Sequence, residues 1–151
     1  MSVELTPGQP NDTCAGALPV TANTSIVGST TGAVNDYTSS NMYSGNAACA
    51  NTLSGPEVVY SYTATATGPV VVRVLPERTT DLGLAVLQNT CAPTNCVDTE
   101  EVNLNGDPET ITFAATVGTT YFIFVDSFSN SAGGNSSNPS GQGGFILSVQ
   151  Q

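Results

Sequence analysis

Two oxygen-rich segments carry the residues best suited to chemistry. Gln9-Pro10-Asn11-Asp12-Thr13 stands directly before Cys14, and Gly28-Ser29-Thr30-Thr31-Gly32-Ala33-Val34-Asn35-Asp36 closes and follows a short strand-like run. Carboxylates, side-chain amides and backbone carbonyls are hard oxygen donors, and calcium takes roughly six to eight of them at about 2.3–2.6 Å. If the N-terminal segment folds against the second one, Asn11, Asp12 and Asp36 come within reach of one point. A plainer role competes, because Asn11-Asp12-Thr13 also makes a good turn or helix N-cap. Softer metals call for histidine or paired cysteine, and the chain has no histidine.

Catalytic candidates are thinner. Twelve Asp and Glu face two basic residues, Arg73 and Arg78, which gives a formal net charge of −10 on 151 residues. Without histidine or lysine there is no imidazole base, no Schiff base and no Ser/His/Asp set. Carboxylate-only chemistry survives, and glycoside hydrolysis needs two acids about 5–9.5 Å apart in a cleft. Asp81, Asp98, Glu100, Glu101, Asp107, Glu109 and Asp126 supply acids but no recognisable motif. Asp81, placed just before an apolar strand, reads as a residue that orients a turn. Tyr37, Met42 and Tyr43 lie in a polar loop, where the two rings either stack on a sugar or partner chain or cap the open end of the fold. Phosphates need a positive face, so nucleic acids and anionic membranes are excluded as partners.

Only 9% of the chain is charged, where about 25% is usual. The polar remainder is largely Ser, Thr, Asn and Gly, the surface of an exported protein. No apolar run approaches the roughly 18 residues of a membrane span, and Met-Ser-Val-Glu has neither a basic nor an apolar signal region, so any export signal is expected to have been removed. Four cysteines allow three pairings. The short Cys91-Ala-Pro-Thr-Asn-Cys96 loop makes a local bridge natural, which leaves Cys14 for Cys49 and staples the N-terminal segment to the loop after the first strand. A zinc site is the rival, yet no Cys-x-x-Cys pair exists. Disulfides imply an oxidising compartment.

The elements that must position these residues are strands. Alternation with period two and β-branched residues dominate, and no apolar stripe of helical period is sustained. Strands are expected at Thr24–Thr30, Pro56–Ala66, Val70–Leu75, Leu82–Leu87, Glu101–Leu104, Thr110–Ala115, Tyr121–Asp126 and Phe145–Val149. Val70–Leu75 and Leu82–Leu87 are apolar enough to be covered on both faces, and Asn105-Gly106 signals a hairpin. Seven to nine short strands in a single domain, residues 1–151, predict an all-β, antiparallel, jelly-roll-like β-sandwich. Its core is Val58, Tyr60, Tyr62, Val70, Val72, Val74, Leu82, Leu84, Val86, Ile111, Phe113, Tyr121, Ile123, Val125, Phe145 and Leu147. Val34–Gly55 and Ser127–Gly144 resist the pattern; the second is nearly all Ser, Asn and Gly, with Phe128 alone able to grip a ligand.

A resemblance adds to this. Pro10-Asn11-Asp12-Thr13-Cys14-Ala15-Gly16-Ala17, the Gly28–Asp36 string, Gly55-Pro56-Glu57-Val58-Val59-Tyr60-Ser61-Tyr62-Thr63, Thr80-Asp81-Leu82-Gly83-Leu84-Ala85-Val86-Leu87 with Cys91 and Cys96 after it, and the closing Gly144-Phe145-Ile146-Leu147-Ser148-Val149 follow one another in order. Together they resemble the bacterial pre-peptidase C-terminal domain and the related collagen-binding domains of clostridial collagenases, across essentially the whole chain. The resemblance implies a secreted jelly-roll accessory domain whose N-terminal acidic-Asn-Asp segment and first loop bind calcium. Asn11, Asp12, Thr30 and Asp36 match those positions, while Gln9 stands where the pattern has an acid. The collagen-contacting aromatics have no counterpart.

The expected function is a non-catalytic, disulfide- and calcium-stabilised extracellular or cell-surface module, in binding, accessory or adhesion service. Its partner would be an extracellular polymer, a surface protein or copies of itself. The rivals are a structural subunit that assembles edge to edge into a layer or filament, and a carboxylate glycosidase.

Overall fold

Alternating apolar and polar residues become nine strands in the computed structural model, which describes residues 9–37, 49, 53, 55–101, 104–127 and 141–151. In chain order these are β1 (Leu18–Val20), β2 (Thr24–Ser29), β3 (Glu57–Thr63), β4 (Gly68–Pro76), β5 (Leu82–Gln88), β6 (Cys96–Glu100), β7 (Glu109–Ala115), β8 (Thr120–Ser127) and β9 (Gly144–Gln150). They form two sheets, β2-β9-β4-β7 and β1-β3-β8-β5-β6. Without β1, each sheet is four-stranded and antiparallel, and the orders 2-9-4-7 and 3-8-5-6 are those of a jelly roll. β1 joins as a parallel edge strand, Leu18 beside Tyr60.

Inward residues of both sheets interdigitate in one core that contains every residue expected there. Edge-on ring pairs tie the sheets together: Tyr60 of β3 against Phe145 of β9 at 6.2 Å, with Phe113 of β7 tilted against Tyr121 of β8 at 4.7 Å. β5 is buried on both faces, as its composition predicts. β4 is not. Its residues alternate between buried and solvent-facing positions, because the outer face of the β2-β9-β4-β7 sheet stays open, and Val71 and Leu75 lie on that face.

The outer face of the other sheet carries a second apolar layer. Val59, Ala85, Leu87 and Phe124 point outward there and are covered by Leu53, Cys49, Tyr37 and the N-terminal turn around Ala17. Tyr37, Cys49 and Leu53, from between β2 and β3, thus pack over the sheet. Both disulfides fasten this covering, and their pairing corrects the expected one: Cys14 bridges to Cys91 and Cys49 to Cys96. Nearness in sequence favours Cys91–Cys96. A single 3-10 turn, Pro93–Asn95, separates the two, however, and Cys96 opens β6 within the outer layer, where Cys49 lies.

Two further expectations change. Glu101 and Leu104 lie outside any strand; the strand in this region is β6, which ends at Glu100. Asn105-Gly106 makes a turn, with Gly106 at φ 81°, but not a hairpin, because β6 and β7 belong to different sheets. The turn carries the chain across the end of the sandwich.

Candidate functional site

The strand directions collect the acids at one end. β3, β5, β7 and β9 begin there and β2, β4, β6 and β8 finish there, so Glu57, Glu77, Asp81, Glu101, Glu109 and Asp126 all sit at strand ends or in links on that side. A residue-by-residue alternation cannot reveal this grouping, since it depends on which end each strand presents.

The N-terminal segment and the loop after β2 do meet. The Gln9 Nε2 donates to the Thr31 carbonyl at 2.8 Å, the Val34 N–H donates to Asp12 Oδ1 at 2.7 Å, and the Cys14 N–H donates to the Tyr37 hydroxyl at 3.3 Å. Asn11 anchors the segment on β3, its Nδ2 donating to the Val59 carbonyl at 3.0 Å while its own carbonyl accepts the Val59 N–H at 2.8 Å. Main-chain and side-chain hydrogen bonds therefore do what the sequence reading assigned to a Cys14–Cys49 bridge.

At the centre of this junction is a residue outside the expected ligand set. Glu57 opens β3 and is 0% exposed. Its Oε1 accepts the Asp36 N–H at 2.8 Å and the Tyr37 N–H at 3.1 Å, while its Oε2 has no hydrogen-bond partner. Burial pushes Glu57 up to about 8, the two N–H donors pull it down, and the charges of Asp36 and Asp12 push it up again. Asp36 and Asp12 thus both act on Glu57. A signal was available, because Glu57 sits two residues before Val59 and so shares the outward face of β3.

The other expected ligand is placed differently. Thr30 is buried, with its hydroxyl accepting the Gly143 N–H at 3.1 Å and its own N–H donating to the Gly143 carbonyl at 3.0 Å. It holds the lead-in to β9. Among the described residues no three Asp, Glu, Cys or His side chains converge as a ready-made metal cage. Tyr37 packs its ring edge-on against Phe124 at 4.8 Å, which spends it on the covering layer. Met42, Tyr43 and Phe128 lie outside the described residues, as does most of Ser127–Gly144.

A second set of acids gathers where the β4–β5 and β6–β7 links cross between sheets. Burial raises Asp81 to about 6, helped by Glu109; burial raises Glu101 to about 7, helped by Asp81 and Glu109. Glu100 and Asp98 are raised as well, first by burial. Asp107 is exposed in its turn. Two surface recesses among the described residues are lined, one by Gln88, Asn89, Thr94, Asn95, Cys96 and Val97 at the opposite end, the other by Val27, Leu75, Pro76, Glu77, Gly144, Phe145 and Ile146. Asp81, Glu101 and Glu109 line neither, so they do not flank a substrate cleft there.

No family model and no curated protein sequence matches the chain. Among solved structures, the pre-peptidase C-terminal domain of collagenase from Bacillus anthracis superposes with a TM-score of 0.55 at 17% identity, over 97% of this chain and 100% of that one. PliG, a periplasmic inhibitor of g-type lysozyme from Aeromonas hydrophila, gives a TM-score of 0.46 at 12% identity, over 89% of this chain and 97% of that one. The K1 cleaved adhesin domain of Lys-gingipain from Porphyromonas gingivalis W83 gives 0.36 at 13% identity, over 62% and 60%. At these identities the first of them establishes a shared fold: the chain has the β-sandwich of a collagenase pre-peptidase C-terminal domain.

Proposed function

We propose that the chain is a non-catalytic extracellular accessory or binding module of the pre-peptidase C-terminal type, stabilised by calcium. The observation that carries the calcium part is the buried Glu57 Oε2, left without a hydrogen-bond partner beside Asp12 and Asp36. A buried carboxylate without a counter-charge is costly, and a hard divalent cation removes that cost. Asp12, Asp36 and Glu57, which do not converge as a ready-made cage, would close on the ion as it binds, with the Asn11 amide oxygen and loop carbonyls completing its shell. Bound there, calcium locks the N-terminal segment, the loop after β2 and the start of β3 to one another.

The extracellular part is supported by two disulfides, by low charge density and by the shared fold. The partner is an extracellular polymer or a surface protein, engaged by placement rather than chemistry. Calcium at a hundredfold excess over its Kd adds about 2.7 kcal/mol, which for a chain of this size raises the melting temperature by roughly 5–10 °C over chelator. No rise, with Asp36→Ala equally silent, removes calcium from the reading. Silence across a glycan and matrix-protein array removes the binding role.

One observation favours self-assembly as a second reading. Val27, 83% exposed, lies directly across from Ile146, which lies across from Leu75, so an apolar row crosses the open face of the β2-β9-β4-β7 sheet. The outward positions of its edge strands, Ser25, Val27, Thr110, Thr112 and Ala114, carry no charge to deter pairing. A clean monomer in size-exclusion chromatography at raised calcium counts against this reading.

A further inference from the structure

The open face of the β2-β9-β4-β7 sheet is almost bare of charge in a chain whose net charge is −10. Outward positions on β2, β7 and β9 carry no ionisable group, and Arg73 of β4 is the one charged side chain among those the four strands turn outward. No hydrogen bond or ion pair engages its guanidinium among the described residues. Copies of a chain this acidic repel one another where acid faces acid. The strands of this face present none.

One carboxylate stands at its rim. Glu77 continues the β4–β9 ladder one step past β4, its N–H donating to the Gly144 carbonyl at 3.0 Å. Its carboxylate folds back over β9, where Oε2 accepts the Gly144 N–H at 3.3 Å and Oε1 lies 2.7 Å from where a Cβ on Gly144 would stand. Gly144 shares the outward side of β9 with Ile146, so Glu77 closes one end of the recess walled by Val27, Leu75 and Ile146. Arg73 lies on the other side of that apolar row. Each of the two is two residues from Leu75 along the chain, or about 6.8 Å.

A face arranged this way is complementary to itself. With a two-fold axis lying along the Val27–Ile146–Leu75 row, the rows of two copies meet at the centre, and Arg73 of each copy comes over Glu77 of the other. The aliphatic stem of the arginine then crosses the recess while its head reaches the carboxylate.

We propose that this face is the contact between two copies of the chain, a closed two-fold pair joined by reciprocal Arg73–Glu77 ion pairs across the shared apolar row. The proposal rests on the self-assembly reading and narrows it, because an isologous contact stops at two copies whereas edge pairing continues into a layer or filament. Four strands about 4.8 Å apart and six residues at about 3.4 Å each make a face of roughly 400 Å², against about 800 Å² per partner in a standard interface. The pair is accordingly weak and forms at high protein concentration.

Sedimentation velocity tests it across the roughly 10 μM to 1 mM range in which weak pairs dissociate. The wild type is expected to pass from monomer to dimer and to stop there. Arg73→Glu and Glu77→Arg each set like charges across the axis and are expected to weaken association at least about tenfold, while Arg73→Glu/Glu77→Arg restores it. Both side chains are exposed, so an unchanged melting temperature confirms that the variants fold. A wild type that stays monomeric throughout overturns the proposal together with the self-assembly reading, and leaves the face to an unlike partner. A dimer that neither single exchange weakens, or an assembly that grows past two, overturns the proposal alone and leaves assembly through the strand edges. Loss in both single exchanges without recovery in the double one refutes the ion pairing and with it this geometry.

Discussion

Glu57 stands directly opposite Asp126 across the β3–β8 pair, and the two carboxylates are 0% and 2% exposed. Burial, with Asp36 and Asp12 nearby, opposes an ionised Glu57. The Gly55 N–H reaches Asp126 Oδ1 at 3.3 Å and two N–H groups reach Glu57 Oε1, so the backbone of the covering segment is organised around this pair. The joint between the sheet and its cover is therefore an electrostatic one.

Glu57→Gln keeps the shape of the side chain and removes its charge. In chelator above about pH 8, where Glu57 is ionised, this variant is expected to melt above the wild type, because the buried charge is gone. In calcium it is expected to lose most of the calcium-induced rise. Differential scanning calorimetry in both buffers checks this, and an undiminished calcium rise would contradict it.

Burial raises three acids above their ordinary range, Glu57 to about 8, Glu101 to about 7 and Asp81 to about 6. Without calcium the folded chain holds these protons more tightly than the unfolded one, so their contribution is present at acid pH and is lost as pH rises through these values. The calcium-free melting temperature is expected to fall between about pH 5 and pH 8. Saturating calcium, which needs Glu57 ionised, is expected to reduce that fall. A calcium-free melting temperature that climbs over the same range would refute this.

The covering layer rests on Phe124, whose ring meets Tyr37 edge-on at 4.8 Å on the outer face. Phe124→Ala is expected to cost about 3–5 kcal/mol by leaving a cavity between sheet and cover. Protease susceptibility around residue 37 should rise with it, and urea denaturation gives the magnitude. A loss below 1 kcal/mol (about the size of a surface change) would show that the cover contributes little.

Non-reducing peptide mapping should recover Cys14 linked to Cys91 and Cys49 linked to Cys96. Cys14→Ser/Cys91→Ser is expected to lose about 2–5 kcal/mol, the range for removing a native bridge. A peptide joining Cys91 to Cys96 would contradict the pairing.

The strands and core were legible in the sequence because burial on one face writes a period of two, as in Ile111, Phe113 and Ala115 of β7. That the segments holding Asn11, Asp12 and Asp36 could meet was legible in the sequence, and hydrogen bonds join them. Glu57 was not, because a single acid at a strand start looks like a solvated terminus until the cover that buries it is known. The disulfide pairing was misread for a similar reason: Cys91 and Cys96 are five residues apart, yet one joins the N-terminal turn and the other the covering layer.

Composition by itself determined the scarcity of basic groups and the strand content, since residue types decide which charges, bases and β-branched faces exist. Tertiary structure alone decided which acids meet. Strand direction puts Glu57, Asp81, Glu101, Glu109 and Asp126 at one end of the sandwich from positions up to 69 residues apart in the chain. Coulombic interaction depends on distance through space, which local sequence patterns do not encode.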